Sequence, residues 1–241
     1  MKILSVIIFL TLFTVTGWCQ CTMPCVAAVS AGYTNPASVT TAPMDTSGAN
    51  VLFAVTATYT IVTGWTLSDS YANQWTSLPF QYDGNQDRVQ LWYSINPIVG
   101  PGHTITISGG GLSYPSLCAA GFSGSYVFDP SGHNGGNGLP SPGTGSVRTT
   151  AGQELLVSGA AFANLPAAPS GISSGFAIAT RLTSSSPGAF GCGLAWSVQP
   201  VPVSLSPVWT GSPAATNGAA AVIAGFKPLN AVSFAPRRIL N

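Results

Sequence analysis

Val51-Leu52-Phe53-Ala54-Val55-Thr56-Ala57-Thr58-Tyr59 decides the fold class. The segment is dense in β-branched and aromatic residues, which suit a pleated, packed surface. Outward from it, Trp75 to Tyr82 and Val89 to Ile95 flank Asp83-Gly84-Asn85-Gln86-Asp87, a turn-forming sequence that predicts a hairpin. His103 to Ser108 alternates polar and apolar residues, as a strand with one wet face does. Leu117 to Phe122, Leu155 to Phe162, Phe176 to Leu182, Gly191 to Val198 and Ala219 to Phe226 complete the strand candidates. No stretch carries a helical apolar period without an intervening Gly or Pro, and 28 Gly and 19 Pro punctuate the chain. The reading is an all-β protein: an antiparallel two-sheet β-sandwich, jelly-roll-like.

The first residues read differently. Lys2 precedes an apolar run, Ile3 to Val15, and Gly17 and Cys19 are small residues placed for cleavage after Cys19. Residues 1–19 are therefore expected to be a signal peptide, with Gln20 as the mature N-terminus. The run is too short for the roughly 20 apolar residues of a membrane-spanning helix. Residues 20–228 are expected to form one sandwich domain, and 229–241 a C-terminal tail. Asp129 to Gly145, DPSGHNGGNGLPSPGTG, is expected to be a long surface loop across which strands pair. Gly48-Ala49-Asn50-Val51-Leu52 and Gly152-Gln153-Glu154-Leu155-Leu156 share a likeness too short to establish a repeat.

Charged residues are 5% of the chain, against roughly 25% in ordinary soluble domains, so the surface is built from Ser, Thr, Asn, Gln and Gly. A net charge of +1 with scattered arginines excludes a phosphate-binding stripe, hence a nucleic-acid partner. Export permits disulfides. Cys118 with Cys192, in apolar strand-like runs, and Cys21 with Cys25 are the expected pairs.

With one Glu and five Asp, the chain is poor in the paired carboxyls that glycoside hydrolysis needs. Glu154 is expected to be a solvated residue at a strand edge. Asp83, Asn85 and Asp87 match the start of a calcium loop, although Arg88 stands where the sharp-turn Gly belongs and no closing Glu follows. Calcium is the cofactor this pattern allows. Gly121-Phe122-Ser123-Gly124 falls one residue short of a nucleophile elbow that His103 or His133 and Asp129 could serve. Of the aromatics, Tyr71 and Trp75 near an inter-strand turn are the candidates for stacking on a sugar ring.

Three segments carry a wider resemblance: Trp65-Thr66-Leu67-Ser68-Asp69-Ser70, Asn73-Gln74-Trp75-Thr76 and Trp92-Tyr93-Ser94-Ile95-Asn96. They are followed in order by His103 to Ile107, Phe122-Ser123-Gly124, Glu154 to Val157 and Ala221 to Phe226. The series resembles a group of uncharacterised secreted bacterial β-sandwich domains found in cell-surface and extracellular proteins. The chain departs from it at Ala72, where Gly is usual, and at Gly121, where an acid often stands. The resemblance implies a jelly-roll-like module without established catalytic residues. The expected function is that of a secreted, non-catalytic adhesive or structural module, with glycan, extracellular matrix or further copies of itself as partners. A carbohydrate-binding module is the alternative, and a glycoside hydrolase stands behind it.

Overall fold

The computed structural model describes residues 24–32, 37–59, 64–85, 87–163, 168–183, 190–212, 214 and 216–229. The signal-peptide region, Cys21 and most of the C-terminal tail lie outside these residues. All regular structure among them is β.

Nine strands come from the first half: β1 (Cys25–Gly32), β2 (Ser38–Thr40), β3 (Val51–Thr58), β4 (Thr66–Asp69), β5 (Thr76–Ser77), β6 (Gln81–Tyr82), β7 (Arg88–Ile95), β8 (Ile105–Ser108) and β9 (Ser116–Phe122). Nine follow: β10 (Tyr126–Asn137), β11 (Val147–Arg148), β12 (Glu154–Ala163), β13 (Pro169–Ile172), β14 (Ala177–Leu182), β15 (Gly191–Gln199), β16 (Ser204–Leu205), β17 (Trp209–Gly211) and β18 (Gly218–Pro228).

The first sheet has the order β1-β9-β3-β7-β5, with β6 also on β7, and the second has β10-β18-β12-β15-β14. In each, the opening strand pairs with the last, the last with the second long strand, and the second with the third. The short strand before the third then closes the edge. Val51 pairs with Ile95 and Phe122, and Leu155 pairs with Val198 and Phe226 in the same manner. Sequence follows register. Thr46-Ser47-Gly48-Ala49-Asn50 matches Thr150-Ala151-Gly152-Gln153-Glu154, Ala120-Gly121-Phe122 matches Ala224-Gly225-Phe226, and Ser94-Ile95-Asn96-Pro97 matches Ser197-Val198-Gln199-Pro200. The chain is a tandem of two like units, and the brief likeness at Gly48 and Gly152 belongs to a repeat that spans both sheets.

The two sheets face each other as an antiparallel sandwich. Val51, Phe53 and Val55 of β3 with Cys118 and Phe122 of β9 meet Leu155 and Val157 of β12, Cys192 and Leu194 of β15, and Phe226 of β18. Gly159 lets the sheets close at their centre, since a Cβ there would lie 2.6 Å from both methyls of Val55. The alternate residues are buried as well, because each sheet is covered on its outer face. The small sheet β2-β8-β4 lays Val39, Leu67, Ile105 and Ile107 over Ala54, Leu117 and Ala119. The ribbons β13–β17 and β11–β16 place Trp209 and Val147 over the second sheet. This double cover accounts for the unbroken apolar runs of β3, β9 and β12, which are buried at every residue.

Two expectations are corrected. No described strand before Ser123 pairs with one after Gly124, so pairing across the glycine-rich stretch is confined to the start of β10, where Tyr126 to Phe128 pair with Phe226 to Pro228 of β18. That stretch is not wholly a loop either: through Asn137 it is the edge strand β10, paired with β18 around a bulge between Asp129 and Asn134. Its glycines serve close approach. A Cβ at Gly132 would sit 2.8 Å from the Cα of Gly225.

Candidate functional site

The chemistry available is that of six carboxylates, and each accepts at least one backbone N–H. Asp45, bonded to the N–H of Ser47 at 2.9 Å, is the exposed one. The rest form three nodes.

At the first, β4 ends on Asp69 and turns back. Oδ1 accepts the N–H groups of Tyr71 at 2.9 Å and Asn73 at 3.1 Å, and Oδ2 accepts the Trp75 indole N–H at 2.7 Å. His103 Nε2 lies 3.5 Å from Oδ2, and Nδ1 lies 2.9 Å from the Thr46 hydroxyl. Burial lowers the His103 pKa, against the pull of Asp69, so the ring is neutral at pH 7. Thr46 Oγ1 takes the Gly100 N–H at 3.1 Å and lies 3.2 Å from the Gly100 carbonyl, which competes with His103 Nδ1 for the single hydroxyl proton. Carboxylate, imidazole and hydroxyl thus line up as in a hydrolase triad. Thr46 and His103 are both wholly buried, however, and no substrate reaches that hydroxyl. The alternative triad anticipated around Ser123 does not assemble: Ser123 bonds the Pro24 carbonyl, while Asp129 lies in the other repeat.

The aromatics proposed for sugar stacking belong to this first node. Tyr71 sets its ring edge-on against His103, 4.7 Å between centroids, and gives its hydroxyl to the Pro101 carbonyl. Trp75 packs against the core beneath β2-β8-β4. Both rings are half-buried and engaged.

The second node joins Asp129, Glu154 and Lys227. Asp129 accepts from Ser131 N–H and hydroxyl, from Thr150 Oγ1 at 2.7 Å and from Lys227 Nζ at 3.0 Å. Burial works to raise its pKa, but these bonds prevail and hold it at about 2. Glu154 moves the other way: burial, with Asp129 nearby, raises it against the N–H groups of Thr150 and Ala151. The expected solvated edge residue is thus wholly buried, because β12 is a central strand and its first side chain folds back over the preceding turn. Two neighbouring carboxyls with opposed shifts have the electrostatics of an acid–base couple. Both are inaccessible, at 1% and 0% exposure, so no glycosidic bond can lie between them.

The third node is the β6–β7 hairpin. Asp83 Oδ1 accepts the N–H groups of Asn85 at 2.8 Å and Asp87 at 2.9 Å. Asp87 reaches across the sandwich to the N–H of Ala163, at 2.7 Å, and its Oδ1 is buried without a hydrogen-bond partner. Burial, then Asp83, pushes Asp87 up to about 8. Arg88, the next residue, points to the outer face with its guanidinium 4.6 Å from the Trp65 ring and 3.8 Å from that of Phe80.

Cys118 and Cys192 face each other between the sheets as free, buried thiols rather than as the expected bridge. Burial, then the hydrogen bond that Cys118 makes to Cys192, raises the Cys118 pKa, while Cys192 gives its own S–H to the Val55 carbonyl at 3.4 Å. Cys25 is disulfide-bonded, and its expected partner Cys21 lies outside the described residues. His133 lines a cavity of about 220 Å³ with Phe80, Gln81 and Asn134.

The sequence reading found Asp83 and Asp87 but missed the other two nodes, whose members lie far apart in the chain. One local signal was present: an acid followed within six residues by turn residues and Trp, as at Asp69 to Trp75. Comparison of the chain with protein-family models, with curated proteins and with solved structures gave no match.

Proposed function

We propose that the chain is an exported, non-catalytic extracellular or cell-surface module with an adhesive or structural role. The observation that carries this reading is the use of the acids. All six accept backbone N–H groups, and those with opposed pKa shifts are sealed from solvent. They act as pins that end strands and clasp turns, in a chain that has few other charges for fixing its loops. A surface of Ser, Thr, Asn and Gln around that frame suits contact with polysaccharide or matrix. Within this reading residues 1–19 direct export, and Cys118 and Cys192 close into a disulfide in the oxidising compartment, joining the two repeats.

The test uses the chain from Gln20 onward with insoluble polysaccharides and immobilised matrix fractions. Retention without release of soluble sugar is the expected result. Time-dependent release of product contradicts the reading.

A further inference from the structure

We propose that the Asp83–Asp87 hairpin is a binding site for a hard divalent cation, calcium by its donor set, held between the two repeats. Two observations beyond the acidic sequence point there. Asp87 is 0% exposed, and its Oδ1 has neither a donor nor any other hydrogen-bond partner. A buried carboxylate oxygen in that condition is costly unless a positive charge meets it. The second is Gly218, at the start of β18. A Cβ there would collide with Asp83 Oδ2 and lie 3.2 Å from Asp87 Oδ2, so both carboxylates converge over a position that a side chain would close.

The surroundings fit an oxygen-ligated ion. Asn85 Nδ2 bonds the Asn217 carbonyl at 3.0 Å, fastening the hairpin to the residue before Gly218. Tyr82 bonds the Asn85 carbonyl at 2.8 Å. The hairpin offers carboxylate, amide and carbonyl oxygens and neither imidazole nor thiolate, which favours calcium over zinc or copper. A proton shared by the two acids is the competing arrangement. It leaves Asp87 Oδ1 without a donor, whereas a cation would meet the Asp87 carboxylate directly. Asp87 already ties β7 to Ala163 of β12, so a bound ion would lock the first repeat to the second.

The experiment is thermal unfolding of the mature chain in calcium and in chelator, beside terbium luminescence excited through Tyr82. Calcium at about a hundredfold over Kd is expected to raise the Tm by roughly 5–10 °C. Terbium emission should appear and be displaced by calcium. D87N should abolish both responses while melting in chelator at or above the wild-type temperature, because it replaces a buried acid with a neutral amide. Identical wild-type Tm values in calcium and chelator, or no sensitised terbium emission, would overturn the proposal.

Discussion

Tyr93 of the first repeat sets its ring edge-on against Phe226 of the second, with 5.2 Å between centroids and 73° between planes. By register Tyr93 corresponds to Trp196, and Phe226 to Phe122. Trp196 and Phe122 repeat the contact, at 5.9 Å and 74°. The two repeats therefore meet as the subunits of an isologous dimer do, each giving the other the same pair of rings.

The centre of that interface is set by Gly159 and Val55. Gly159→Ala places a methyl 2.6 Å from both Val55 methyls and is expected to cost about 2 kcal/mol in denaturant unfolding. Combining it with Val55→Ala should recover part of that loss relative to the sum of the single changes. Simple additivity would show that the Gly159→Ala penalty does not arise at the Val55 methyls.

Asp69 holds two backbone N–H groups and an indole at once. Asp69→Ala leaves these three donors without their acceptor, and is expected to destabilise the fold by about 3 kcal/mol. Trp75 fluorescence should shift to longer wavelength. An unchanged Tm and spectrum would show that the node is incidental.

Two aspartates give opposite pH dependences, measured in chelator. The Asp87 pKa is raised from 3.8 to about 8, so the folded state holds the extra proton. Its stabilising contribution is present at low pH and is lost as pH rises across that interval. Asp129 is lowered from 3.8 to about 2, so its contribution is present above the usual value and lost as pH falls toward 2. D87N should therefore gain on wild type progressively from pH 4 to pH 8. D129N should lose most at neutral pH and converge with wild type in acid. Parallel melting curves for either variant across its window would refute the assignment.

Cys118 and Cys192 provide a redox test. After oxidation by a small-molecule disulfide, the intact chain is expected to lose two hydrogens beyond the Cys25 bridge and to gain about 3 kcal/mol. Cys118→Ala should abolish that gain. Continued alkylation of both thiols in the unfolded, oxidised sample would show that the bridge does not form.

The fold class was legible because strand chemistry is local: Val51 to Thr58 reads as β wherever it sits. The layering was less so. Burial of Ala54 depends on Val39, Ile105 and Ile107, which no pattern within β3 announces. The repeat was hidden because register, rather than identity, is what was retained; Tyr93 stands opposite the same partner positions as Trp196 with a different side chain. Asp83 and Asp87 could be found because they share one turn. Asp129 and Glu154 could not, because the bulge in β10 and the folded-back start of β12 bring them together. Glycine misled in the other direction: at Gly132 it marks a backbone crossing rather than a flexible loop.

The central claim, that the acids are structural and the module non-catalytic, is most directly tested by sugar release. Wild type, E154Q and D129N would be incubated with a panel of polysaccharides, with circular dichroism verifying the fold of each. The account predicts no turnover by any of the three and a lower Tm for D129N. Turnover by wild type that disappears in folded E154Q would contradict it.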